Sequence, residues 1–275
     1  MYRSLIVVLL CCIAPASAEE RPTSAHRYGA ADWPAASAVR AGFDTGALKA
    51  TGLERVSLRI DARRAEATLG FRPRATPKGQ LEQPREAAVK GPTVVVKVRR
   101  FATCKQARRW LLAELGACQA KLTREPGLGD VAFGWRRAQE LRYAAAAQGN
   151  LGWVVRSLNP GPAAAVGEGP GDVALLAAAL DAQARRAPKI GASKGPQLLG
   201  HEVGVAQIGK PLPFSLRFAP AAHSLRFDAG EHASVVRARS GFLLYADRSG
   251  KVEVTVYACT RDLQASKHQV VLHTR

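Results

Sequence analysis

The stretch "DVAFGWRRAQELRYAAAAQGNLGWVVRSL", residues 130–158, decides how this chain is read. It holds three strand-like runs, "DVAFGWRR", "ELRYAAAAQ" and "LGWVVRSL", and Gly149-Asn150 sits between the last two as a tight-turn dipeptide. Strands joined that closely pair antiparallel. Upstream, "RVSLRID" sets Val56, Leu58 and Ile60 on one side, and "AEATLGF" comes after a charged turn. "TVVVKVRRF" then alternates Val94, Val96 and Val98 against Val95, Lys97 and Arg99.

Two helices punctuate these strands. Thr103 and Gln106 spell a T-x-x-Q capping box, in which each side chain bonds the other residue's free backbone N–H. Leu111, Leu115, Cys118 and Leu122 continue as one stripe with Trp110 beside it, and Pro126-Gly127 is the expected stop. After the glycine- and proline-rich "NPGPAAAVGEGPG", Asp172 caps "VALLAAALDAQARRA", with Arg185-Arg186 at its end and Pro188 as its stop. The order β-β-β-α-β-β-β-α predicts an α+β unit, an antiparallel sheet with two helices on one face.

"PKIGASKGPQ" reads as a linker, and no helical periodicity survives beyond it. "FSLRFA", "HSLRFDA", "HASVVRAR", "FLLYAD", "KVEVTVYAC" and "HQVVLHT" recur at short spacing, the rhythm of a small all-β sandwich. The expected organisation is therefore a signal peptide at 1–18 and a flexible N-terminal segment at 19–50, from which Trp33 docks on the neighbouring domain. The α+β domain spans 51–188, the linker 189–196 and the β-sandwich 197–275.

Arg3, the apolar run Leu5–Ile13 and the small-x-small site Ala16-Ser17-Ala18 have the layout of a secretory signal. That run is too short to span a bilayer as a helix, and no later segment is long and apolar enough. The expectation is a periplasmic or secreted protein. Removing residues 1–18 takes away Arg3 and no acid, so the formal charge of +18 falls to +17. Outside the cytoplasm such an excess attracts an anionic envelope polymer, an acidic lipid surface or extracellular nucleic acid. The densest basic segment is "VKVRRFATCKQARRW", with Lys97, Arg99, Arg100, Lys105, Arg108 and Arg109 as candidate ligand-binding residues. Export and the lack of exposed aromatics interleaved with these arginines argue against nucleic acid.

Catalytic patterns are incomplete. "GASKG", Gly191–Gly195, spells G-x-S-x-G around Ser193, but a nucleophile elbow needs a strand before it and a helix after it. Here a helix precedes and Pro196 comes next. Gly167, Gly169 and Gly171 precede a helix without the spacing of a phosphate loop, and Asp172 sets a negative charge at its mouth. "HEVGV" at His201 has Val205 where a zinc protease motif needs histidine, while His223, Glu231 and His232 lie on neighbouring strand candidates. No C-x-x-C pair occurs, and no cofactor or metal is expected. On one continuous helix Cys104 and Cys118 stand about 21 Å apart, beyond disulfide reach, so only Cys259 is left as a partner for either.

Two resemblances rest on these residues. "GLGDVAF", "NLGWVVRSL" and the closing Ala-Leu-rich helix resemble exported bacterial domains of Mog1/PsbP-like type over about Gly52–Pro188. That likeness implies an accessory or binding role and carries no catalytic residues. "GKVEVTVYA", Gly250–Ala258, is similar to a late strand of bacterial immunoglobulin-like modules, although the usual core tryptophan has no counterpart after residue 196. The sequence thus predicts a non-enzymatic exported binding or accessory protein of the cell envelope, partnered by an anionic polymer or a protein. The alternative is an exported hydrolase using Ser193 or a catalytic set split across the domains.

Overall fold

The computed structural model describes residues 24–35, 42–74, 92–158, 171–186, 195–205, 207 and 210–275. The expected signal segment at 1–18 and Ser193 lie outside the described residues. A short helix α1 (Ser24–Arg27) and one 3-10 turn (Ala30–Asp32) precede the first sheet. Its strands are β1 (Leu53–Asp61), β2 (Glu66–Pro73), β3 (Val94–Arg100), β4 (Thr123–Arg124), β5 (Val131–Arg137), β6 (Glu140–Gln148) and β7 (Leu151–Ser157). They lie in the order β1-β2-β3-β7-β6-β5-β4, every pair antiparallel. Helix α2 (Cys104–Ala117) links β3 to β4, and α3 (Asp172–Arg186) comes after β7.

The helices lie on opposite faces of this sheet, which corrects the expectation that they share one. In β6, Ala144 and Ala146 belong to the core beneath α3, with Leu176, Ala177 and Leu180. Ala145 and Ala147 belong to the core beneath α2, with Ala107, Leu111 and Leu115. Successive strand residues point to opposite faces, so a run buried at every position is covered on both sides. The alanine run and "LGWVV" carry that signature. Methyl groups let each helix approach closely, and Gly152 does so to the limit: a Cβ there would sit 2.3 Å from Trp110.

The capping box forms, with Thr103 Oγ1 accepting from Gln106 N and Gln106 Oε1 accepting from Thr103 N. Helix α2 ends at Ala117, where Cys118 turns extended, well before the expected proline stop. The residues beyond lead into β4, which pairs with β5. Val56 is also displaced from its expected face. The β1–β2 register shifts between Arg55 and Ser57, a bulge that leaves Val56 exposed while Leu58 and Ile60 pack on the core.

The N-terminal segment contributes more than Trp33. Tyr28 and Trp33 pack in the α2 core, Tyr28 Oη donates to Leu115 O at 2.8 Å, and Phe43 and Leu48 enter the α3 core. Isolated aromatics at irregular spacing give no periodic signal, so this packing is invisible to pattern reading.

Seven further strands follow among the described residues: β8 (Gln197–Val203), β9 (Leu212–Ala219), β10 (Ser224–Asp228), β11 (Ala233–Ala238), β12 (Gly241–Ala246), β13 (Gly250–Cys259) and β14 (Ala265–Thr274). They form a three-stranded sheet, β10-β13-β14, and a four-stranded one, β11-β12-β9-β8. Both close over one core that includes Phe214, Leu244, Val254, Val256, Val270 and Leu272. Strand β8 is one that alternation does not announce, since "HEVGV" stands out in the sequence only as an incomplete metal motif. Cys259 and Leu263, at the β13–β14 end, are buried in the α3 core of the first sheet. Ser224 Oγ also donates to Ile60 O at 2.9 Å, and Arg226 lies 3.4 Å from Asp61. No helix among the described residues is long and apolar enough to cross a membrane.

Candidate functional site

Five chain segments meet at one end of the seven-stranded sheet. The β1–β2 turn supplies Arg63 and Arg64, and the end of β3 supplies Arg99 and Arg100. The first turns of α2 supply Gln106 and Arg109, the β6–β7 turn supplies Asn150, and the β13–β14 turn supplies Leu263–Ala265. Together they enclose a cleft of about 660 Å³ with five arginines and no carboxylate among its described lining residues.

Backbone bonds fix these segments against one another. Arg100 N donates to Ala65 O at 3.0 Å, tying β3 to the β1–β2 turn. Phe101 N donates to Asn150 O at 2.8 Å, and Asn150 Nδ2 returns a bond to Phe101 O at 2.9 Å. The buried Leu263 side chain anchors the third wall, at the cost of a left-handed backbone with φ 61°.

Strand alternation splits the two adjacent arginines. Arg99 falls with Lys97 on the α2 side, opposite Gly152, and Arg100 falls on the α3 side, opposite Leu151. The cleft therefore wraps the end of the sheet. Arg100 is the buried floor, with 9% of its surface exposed, whereas Arg63, Arg64 and Arg109 stand in solvent at the rim. Aromatic rings hold two of the guanidinium groups: Arg99 lies 4.9 Å over Phe101, and Arg63 lies 5.7 Å over Tyr257. The nearest acid on the β1–β2 turn, Asp61, is 3.9 Å from Arg64 and is shared with Arg226.

Cys259 is buried behind this floor. Burial pushes its thiol up to about 12, and Asp262 adds to that, while Arg100 pulls the other way and Asp61 raises it further. A protonated, inaccessible thiol is neither nucleophile nor ligand. Among the described residues none of Cys104, Cys118 and Cys259 is in a disulfide.

Of the basic residues singled out from sequence, Arg99, Arg100 and Arg109 line the cleft and the other three do not. Lys97 points to Glu114 at 2.9 Å and Glu66 at 3.9 Å and lies over the Trp110 ring. Lys105 is exposed on the first turn of α2, and Arg108 is half-buried. Sequence reasoning missed Arg63 and Arg64. Their signal was the doubled arginine in "DARRAEA", which reads only as a charged turn, and no spacing rule places a turn beside a strand end thirty-odd residues later.

Other candidates resolve differently. Ser266 and His268 sit on one face of β14, with His268 Nε2 2.9 Å from Ser266 Oγ. Ser266 Oγ donates to Pro196 O, and His268 Nε2 lies 2.7 Å from the same oxygen, so its ring N–H donates there too. With Nε2 protonated the ring cannot take a proton from Ser266, and the pair pins the chain entering β8 to β14. Glu140 and Asp172 approach beside Arg142, and burial, then Glu140, holds the Asp172 carboxyl above its ordinary range. Arg142 lies 2.7 Å from Glu140 and pairs with it, offsetting one of the two acids. His201 lies on β8, and His223 is exposed beside Arg261 at 3.4 Å. Among the described residues no group of three or more His, Cys, Asp or Glu side chains is placed to hold a metal ion. Gly167 and Gly169 lie outside the described residues. No protein-family model, curated protein or solved structure matches this chain.

Proposed function

We propose that this chain is an exported, non-enzymatic binding protein of the cell envelope that holds an anionic partner at the arginine-lined cleft. One observation carries the reading: five guanidinium groups from three separate segments converge where no carboxylate lines the wall among the described residues. Like charges held together repel, and an anion bound between them converts that repulsion into attraction. Two arginines already in cation–π contact with aromatic rings support a prepared site over a dispersed solvated surface, because their orientation costs less to fix on binding.

In this reading the chain has two units, an α+β domain of Mog1/PsbP-like type at 51–188 and an Ig-like β-sandwich at 197–275. The separate apolar core of the last two sheets supports the division. The cleft then lies at their junction, since Leu263–Ala265 belong to the second unit.

The test is retention of the full mature chain on lipopolysaccharide, cell-wall and DNA matrices in a salt gradient. The triple variant Arg63→Gln, Arg99→Gln, Arg109→Gln should elute at distinctly lower salt from at least one matrix. A control with an equal charge loss outside the cleft, Arg237→Gln, Arg248→Gln, Lys251→Gln, should elute like the parent. Equal elution of all three proteins would sink the proposal.

A further inference from the structure

The geometry of the cleft also selects among anions. A planar carboxylate presents two in-plane oxygens and is satisfied by one guanidinium fork. A phosphate group presents oxygens in several directions and accepts guanidinium donors from more than one side. Here the donors come from different sides: Arg63 and Arg64 from the β1–β2 turn, Arg109 from α2, and Arg99 and Arg100 from the two faces of β3. Cation–π contacts with Phe101 and Tyr257 hold two of these guanidinium groups near the cleft without using up their N–H donors. The cleft is open to solvent and, at about 660 Å³, is larger than a single phosphate group fills.

We infer that the cleft takes a compact ligand bearing two or more phosphate groups, and discriminates against carboxylates of similar charge. This rests on the binding function proposed for the cleft and names its ligand chemistry. Phosphates of this kind come from soluble compounds or from lipid headgroups, and the cleft reads the feature they share.

Calorimetry on the full mature chain at fixed ionic strength tests it, with pyrophosphate and inositol hexakisphosphate against citrate. The expected result is that pyrophosphate binds at least about tenfold more tightly than citrate, and the hexakisphosphate more tightly still. Arg99→Gln and Arg63→Gln should each weaken phosphate binding by about tenfold. Arg99→Lys, which keeps the charge and loses the fork, should weaken it too. Circular dichroism confirms that each variant is folded, and Arg237→Gln serves as the unaffected control. Vesicles with and without cardiolipin, whose headgroup carries two phosphates, distinguish the source: capture that depends on Arg99 assigns a headgroup, and soluble binding alone assigns a free ligand. Citrate binding as tightly as pyrophosphate, or phosphate affinity indifferent to Arg63 and Arg99, overturns the inference. If matrix retention still depends on the cleft arginines, the binding function survives that outcome; if it does not, both fall.

Discussion

Replacing Ala145 or Ala146 by leucine puts an isobutyl group where the sheet leaves space for a methyl. Both residues are 0% exposed. Ala146 pairs with Trp153 beneath α3, and Ala145 pairs with Val154 beneath α2. Enlarging a packed core position forces neighbouring side chains and backbone to shift, at about 1–3 kcal/mol. At about 2–4 °C per kcal/mol for a unit of this size, each variant should lower the melting midpoint by about 2–12 °C. The two residues are adjacent on one strand and coupled through its backbone, so the double variant should depart from the sum of the singles. Thermal and urea unfolding tracked by circular dichroism measure all three. If either single variant stays within about 0.5 kcal/mol of the parent, that face of β6 is open and the two-sided sheet is wrong.

Gly152→Ala should be at least as damaging, because its methyl would meet the Trp110 ring at 2.3 Å; a Trp110→Ala background should restore much of the loss. Thr103→Ala removes one half of the capping box and should cost about 1 kcal/mol in urea unfolding, with Thr103→Ser close to neutral. Native protein treated with iodoacetamide at pH 9 should alkylate at Cys104 and Cys118 and spare Cys259, and denatured, unreduced protein should expose the thiols of all three. Because the Cys259 thiol is raised, its contribution to stability is complete below the ordinary thiol range and is lost as pH climbs toward about 12. Stability of Cys259→Ala should therefore depend less on pH above about 9 than that of the parent.

Most of the local structure of this chain could be read from residues alone. Alternation in "TVVVKVRRF", the Gly149-Asn150 turn and the Thr103–Gln106 box are short-range effects, settled by pleat, turn dihedrals and caps within a few residues. The recurring short strands after residue 196 likewise announced a β-rich end. Three matters depended on residues far apart in sequence. The faces chosen by α2 and α3 reflect a run of alanines whose burial on both sides is a property of the packed sheet. Phe43, Leu48 and Leu263 became core only because distant backbone left holes for them. Arg63 and Arg64 joined Arg99, Arg100 and Arg109 because antiparallel pairing carries a hairpin turn to the end of a neighbouring strand, and charge on a turn says nothing of what the turn will stand beside.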